Sequence, residues 1–410
     1  MAKPTTTALL VILCFSTLAA ISIAVQAQSG DSWPMFHHDL SHTGATTSPG
    51  PSSNQTFWTF AADNNIWSSP VIANGMVYEA SFDHNVYALD AITGAKIWNF
   101  STDKQIYSSP AVDGGIVYIG SNDNKTYALD AKTGALIWKY TTGNEVQASP
   151  TVYNGVVYVG SNDNNLYALK ANDGTFLWKF PTGGDVISSP AIVNGVVYFG
   201  SYDKKLYAVN AASGTQKWSY TAGSVIESSP VVANGRLYVG CYDNKTYAID
   251  AATGASLWNS TIGYDLCVQS SPAHANGKIY TGGAYDNVVY ALDADTGTQA
   301  WTFPAGNGPD IGFVSAPAIS GNVLYTGSRD NKLYALDATS GALLWTYQTN
   351  GRVYSSPAVV NGIIYFASYS GIVYAVGQPT SNDFYYVVAA AIAVAVIIIG
   401  AVVFLIKWRR

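Results

Sequence analysis

One motif recurs eight times between residues 57 and 377, and this repetition limits the fold more than any other feature. A Ser-Pro pair returns with proline at 70, 110, 150, 190, 230, 272 and 357, and as Ala-Pro at Pro317. A Tyr-Ala pair returns with tyrosine at 87, 127, 167, 207, 247, 290, 334 and 374, and tryptophan returns at 58, 98, 138, 178, 218, 258, 301 and 345. The spacing is 40 residues, stretched twice near the end. Periods of this size belong to solenoids, propellers and arrays, whose units bury their apolar faces only against one another.

Each unit parses into four short strands, A to D. Strand A follows the proline, as in residues 191–193 (AIV). Asn-Gly fills the next turn in six units, for example Asn154-Gly155, and both residues accept the positive φ of a type I′ hairpin. Strand B reads VVYVG or similar, Ser-x-Asp-Asn makes the second turn, and strand C reads xxYALD. Asp-Ala-x-Thr-Gly makes the third turn, and strand D carries the tryptophan. Strands B and C are apolar almost throughout, as expected when both sheet faces are buried. Four-stranded sheets packed radially on their neighbours are the blades of a β-propeller.

Counting also predicts how the ring closes. Trp58 stands before the first Ser-Pro, while the last unit (355–377) has no tryptophan strand. The N-terminal strand around Phe57–Phe60 therefore completes blade eight and removes the open edge. The expected fold class is an all-β, eight-bladed propeller of four-stranded blades, followed by one C-terminal transmembrane helix.

The two ends predict where the ring works. Residues 1–27 place one lysine ahead of an apolar run and end on Val25 and Ala27, the pattern of a cleavable signal peptide; an uncleaved anchor is the alternative. Residues 384–406 form an uncharged apolar stretch, long enough at about 1.5 Å per residue to span a bilayer. Tyr385, Tyr386 and Trp408 flank it, and Lys407, Arg409 and Arg410 follow, which predicts a cytoplasmic tail at 407–410. The expected order is signal peptide 1–27, lead-in 28–56, propeller 57–377, linker 378–383, span 384–406 and tail, with the propeller extracellular. Charge excludes one class of partner. Four of the 20 basic residues lie outside 28–383, leaving 16 basic against 26 acidic side chains there, a net −10. A nucleic-acid binder needs the opposite balance.

The pattern Tyr-x-Gly-Ser-x-Asp-x-x-x-Tyr-Ala-Leu-Asp-Ala-x-Thr-Gly-x-x-x-Trp, seen with small variations at 118–138, 158–178 and 238–258, resembles the PQQ-like (quinoprotein alcohol dehydrogenase-like) β-propeller repeat. Trp33 to Gly44 (WPMFHHDLSHTG) resembles the lead-in of these propellers. The resemblance implies one of two activities. Some members are dehydrogenases that hold pyrroloquinoline quinone and calcium, with a disulfide between adjacent cysteines; others, such as BamB, lack the cofactor and bind proteins. This chain has no adjacent cysteine pair and near-minimal blades, so the resemblance favours the BamB-like, non-enzymatic branch, with no cofactor expected. The alternatives are a quinone-dependent dehydrogenase with calcium and a structural surface-layer or adhesion protein.

The informative positions are those that change from blade to blade, because a rigid scaffold carries its binding residues on loops. Before each Ser-Pro or its variant lie Trp67, Tyr107, Gln147, Ile187, Glu227, Gln269, Val314 and Tyr354. The B–C turns, on the same rim, carry Phe82, Asn122, Asn162, Tyr202, Tyr242, Tyr285, Arg329 and Tyr369. Five of these eight are aromatic, a set able to stack on a glycan or anchor a protein partner. The D–A loops flanking blade six are longer than the rest and add Tyr264, Asp265, Asp310 and Phe313, while Gly282-Gly283 reads as a bulge. The expected contact rim is Tyr107, Gln147, Glu227, Tyr242, Tyr264, Asp265, Gln269, Tyr285, Asp310, Phe313, Arg329, Tyr354 and Tyr369.

Cys241 and Cys267 fall on that rim in adjacent blades, and an exported compartment permits a disulfide between them. Sequons at Asn54, Asn99, Asn124, Asn244 and Asn259 fit an exported glycoprotein. His37, His38 and His42 cluster in the lead-in without a second ligand group. The repeated Ser-Ser-Pro serines have no fixed histidine partner, which argues against triad chemistry.

Overall fold

A computed structural model describes residues 32–263, 269–306 and 312–379. Among these residues there are eight sheets, antiparallel but for one short strand added to the seventh blade, and no helix. Blade one consists of Val71–Ala73, Met76–Ala80, Asn85–Asp90 and Lys96–Ser101, and the next six repeat this meander. Blade eight takes Ala358–Val360, Ile363–Ala367 and Ile372–Gly377 from the C-terminal part and Thr56–Ala61 from the N-terminal part, with Trp58 opposite Ala375. The bookkeeping of strands thus gives the observed closure.

The repeated residues are the joints between blades. The tryptophan of one blade and a tyrosine of its strand B both donate to one alanine carbonyl in the next blade: Trp98 Nε1 lies 3.0 Å and Tyr78 Oη 3.0 Å from the Ala131 oxygen. That alanine belongs to the Asp-Ala-x-Thr-Gly turn, whose glycine lies under the tryptophan. A Cβ on Gly134 would come within 2.7 Å of the Trp98 ring, and its φ is +71°, so only glycine fits. The tyrosine of Tyr-Ala holds the B–C turn instead. Tyr87 Oη donates to Asp83 Oδ2 at 2.7 Å, and the other Asp83 oxygen accepts the Asn85 N–H at 2.9 Å. The turn aspartates are therefore committed to the scaffold.

Strands B and C are buried on both faces, whereas strand D is mostly exposed, with its tryptophan the one buried residue in blades one and two. In blade one, Ala88 and Leu89 on strand C face Trp98 and Lys96 on strand D, so Ile97 is an extra residue. The same shift recurs in each outer strand. Bulges of this kind twist an outer edge away from further pairing. Gly283 is not a bulge. Gly282 pairs regularly with Val289, and the extra residue lengthens the B–C turn of blade six.

The lead-in forms a strap across the inner strands. Backbone carbonyls of Trp33, Pro34, Leu40, Ser41, Thr43 and Gly44 accept from Ile72, Val112, Ile192, Val232, His274 and Ile319, the middle residues of strand A in six blades. Pro49 accepts from Gly362 in blade eight, and Ala45–Thr46 pairs parallel with Ala318–Ser320 of blade seven. Inner strands present an unpaired edge to the channel, and buried backbone donors require partners. The strap supplies them on six inner strands and reaches the A–B turn of blade eight, and its Phe36 lines the cavity above.

Candidate binding funnel on the D–A rim

The Ser-Pro serines form the throat of the channel. The Ser69 N–H donates to Ser109 Oγ at 2.9 Å, and the pattern passes from blade to blade through Ser149, Ser189, Ser229 and Ser271. Ala316 donates to Ser356 and Ser356 back to Ser69, closing the ring. The circlet is interrupted only where Ser271 meets Ala316, which has no hydroxyl. The preceding serines hold the loop to strand B, as when Ser188 Oγ accepts the Gly200 N–H at 3.0 Å. The serines are structural clasps.

Above this circlet lies a cavity of about 120 Å³, lined in part by Trp67, Tyr107, Ile187, Glu227, Gln269, Val314 and Tyr354. Seven of the eight blade-varying D–A residues thus converge on one funnel. A short apolar anchor fixes these loops: Ile66, Ile106, Val146, Val186, Ile226 and Val353 are all fully buried three residues before the serine of the circlet.

The two sides of the funnel differ in chemistry. Blades seven, eight, one and two build an aromatic wall. Trp67 stacks on Tyr354 with centroids 4.2 Å apart, Phe82 packs on Tyr107 at 4.3 Å, and Tyr369 meets Tyr354 edge-on at 5.3 Å. Arg329 lies between rings, 4.7 Å from the Tyr285 centroid and 5.7 Å from that of Tyr354, which is cation–π distance. Blades three to six build a polar wall centred on Glu227. Its Oε2 accepts from Tyr202 Oη at 2.6 Å and from Tyr242 Oη, while Gln269 Nε2 donates to Tyr242 Oη at 2.6 Å. Gln147 Nε2 donates to Glu145 at 2.9 Å. Burial, and then the Glu145 carboxylate, pushes Asp185 above the usual carboxylate range.

The expected rim residues separate accordingly. Tyr107, Glu227, Gln269 and Tyr354 line the cavity, and Tyr242, Arg329 and Tyr369 contact that group. Gln147 stands beside it on Glu145, and Tyr285, 49% exposed, forms the outermost ring. Phe313 is a correction. It is fully buried against Tyr334 at 5.5 Å, because it occupies the apolar anchor position of its loop. Tyr264, Asp265, Cys267 and Asp310 lie outside the described residues, as do the expected signal peptide, transmembrane span and tail. Trp67 was visible as a blade-varying position yet stayed out of the expected contact set; its D–A place was the signal.

Cys241 is fully buried, and its thiol lies 3.4 Å from the Ser224 carbonyl. Burial pushes this thiol up to about 12. Among the sequons, Asn54, Asn99 and Asn259 are exposed, whereas Asn124 and Asn244 are half-buried turn residues with φ of +69° and +65°. His37 and His42 are buried in the strap. Burial lowers them to about 4 and about 3, and His37 Nδ1 lies 3.0 Å from the His42 carbonyl. No group of three or more metal-ligating side chains converges among the described residues, and none of the described residues forms a helix long and apolar enough to cross a membrane.

A family model described as outer membrane protein assembly factor BamB matches residues 41–104, 82–191, 177–286 and 285–383. The chain belongs to this PQQ-like propeller family. Solved structures of similar fold span both of its branches. BamB from Moraxella catarrhalis is 20% identical, with a TM-score of 0.68 over 79% of this chain and 99% of its own. A quinohemoprotein alcohol dehydrogenase from Pseudomonas putida is 17% identical, with a TM-score of 0.73 over 88% and 82%. The computationally designed Ika8 protein is 17% identical, with a TM-score of 0.70 over 79% and 100%. At these identities the likeness establishes the fold alone. No curated protein sequence matches the chain.

The funnel does not fit the cofactor of the dehydrogenase branch. Its cavity of about 120 Å³ falls below the roughly 300–1,000 Å³ of small-molecule sites. Tyr354 covers one face of Trp67, the serine oxygens of the throat accept backbone N–H groups, and among the described residues Glu227 is the one carboxylate in the lining. Calcium takes six to eight oxygens.

Proposed function

We propose that this propeller is a protein-binding scaffold and that the funnel on the D–A rim is its contact site. One observation carries the reading. Side chains that repeat are spent on joints between blades, while those that vary converge on a single mouth. Aromatic residues and arginine at the centre of a concave surface are the groups that dominate protein interfaces. The sequence of the two ends supports a membrane-anchored protein with its propeller outside the cell. The described chain leaves the ring beside the A–B turn of blade eight, where the Gln378 N–H bonds the Gly362 carbonyl. That rim is opposite the funnel. A glycan partner is the second class that the aromatic wall would suit.

The test is partner capture from the cell surface by the full chain in detergent. Replacing Tyr285 and Arg329 together by alanine should abolish capture at an unchanged melting temperature, and Lys132→Ala on the opposite rim should not. Equal capture by all three proteins would refute the site.

A further inference from the structure

The polar wall of the funnel has a hydrogen-bonding polarity that can be worked out proton by proton. Tyr242 has one hydroxyl proton and gives it to the Glu227 carboxylate, which has none to give. The Tyr242 oxygen must then accept from Gln269. This fixes the amide, with Nε2 toward Tyr242 at 2.6 Å and Oε1 away from it. Gln269 Oε1 is buried and has no partner among the described residues. Two further amide oxygens on the same rim are buried without partners, Asn122 Oδ1 and Asn162 Oδ1. Asn122, only 7% exposed, occupies the turn position from which Phe82 in blade one reaches Tyr107. These three unsatisfied groups are acceptors, and an unmet buried acceptor is costly; the unsatisfied donor of the rim, Arg329 Nε, belongs to the aromatic wall.

The charge has the same sign. Glu227 stands in the cavity, and Glu145 and Asp185 belong to the two preceding D–A loops. Both tyrosine hydroxyls bonded to Glu227 reach the same oxygen, Oε2. Facing this wall across the cavity are Trp67, Tyr107 and Tyr354. Carboxylate and amide acceptors opposite aromatic faces form an environment for an organic cation with N–H donors and an apolar stem. The small volume suits one side chain better than a whole cofactor.

We infer that the funnel takes a basic side chain, arginine or lysine, presented at the tip of a loop of the protein partner. The guanidinium or ammonium donates to Glu227 and Gln269 Oε1, and its stem packs on the ring of Trp67 or Tyr107. This rests on the scaffold reading and deepens it, since it names what the partner must carry. Arginine suits the site better than lysine, because its fork can donate to two acceptors at once.

The experiment is calorimetric titration of the full chain in detergent with Nα-acetyl-arginine amide, Nα-acetyl-norleucine amide and Nα-acetyl-glutamate amide. The arginine probe should bind one-to-one, and raising the salt concentration should weaken it. Glu227→Gln and Gln269→Leu should each weaken it at least tenfold. Should either variant lose its fold, as judged by melting temperature, Glu227→Asp serves as the second probe, because a carboxylate drawn back from the cavity should weaken arginine binding while the charge is kept. Equal binding of the norleucine probe, preference for the glutamate probe, or no binding of any probe would overturn the inference. Failure here is separable from failure of the scaffold reading. Partner capture that persists in Glu227→Gln but is lost on replacing Tyr285 and Arg329 would retain the scaffold and reject the basic side chain.

Discussion

Glu79 should make the ring weaker as the solution becomes alkaline. Strand B of the other blades carries Ile119, Val159, Phe199, Val239, Thr281, Thr326 or Phe366 at this position. Glu79 is fully buried, shares a strand face with Val77, and so points into the seam between blades one and eight, where the N-terminal strand closes the ring. Ser68 Oγ and the Ala80 N–H donate to Oε1, and Oε2 has no partner. Burial outweighs those two bonds and raises the carboxyl from 4.5 to about 8. The folded state then holds the proton more tightly than the unfolded chain. Stability contributed by the neutral acid is complete below pH 4.5 and is lost progressively as pH rises to about 8. At about 1.4 kcal/mol per unit, the loss approaches roughly 5 kcal/mol, an upper limit because water entering the seam would relieve part of it. Glu79→Gln keeps the shape and cannot ionise. Urea denaturation followed by tryptophan fluorescence at pH 5, 7 and 9 should show the variant gaining on the natural protein by several kcal/mol between the extremes. Parallel pH profiles for the two proteins would refute the argument.

Three further outcomes follow from the same geometry. His37 and His42 are held neutral in the strap, so the unfolded chain takes up protons first, and stability present above pH 6.5 is lost as pH falls toward about 4 and about 3. Asparagine at either position accepts the φ of +57° and should flatten the acid side of a melting-temperature profile between pH 7 and 4.5. Ala316→Ser supplies the missing hydroxyl of the throat circlet and should raise stability by about 0.5–1.5 kcal/mol in thermal denaturation, while Ser149→Ala should lower it by a similar amount. Gly134→Ala places a methyl against Trp98 at a left-handed φ and should cost more than about 1 kcal/mol in the same assay.

Much of this was legible in the residues because a repeat multiplies its own signal. Eight tryptophans and eight Tyr-Ala pairs fix the number of blades, and the unpaired Trp58 fixes which strand closes the ring. The blade-varying D–A residues could be placed on one rim, since strands alternate in direction, and seven of them line one cavity. Phe313 departs from the expected rim because the extra residues of its loop precede it, which puts it where the other blades carry a buried isoleucine or valine.

What the sequence by itself determined is whatever recurs every 40 residues: blade count, turn chemistry, closure and the rim on which variation gathers. The tertiary structure decided what happens once per ring. The aperiodic lead-in becomes a strap because the inner strands of a closed ring leave their backbone donors facing the channel. Glu79 meets blade eight some 280 residues away in sequence only after closure. Glu227, Tyr242 and Gln269 become one network because three loops end at the same mouth. Periodicity records the contacts that each unit makes with its neighbours, and it carries no signal for groups that meet only at the axis or the seam.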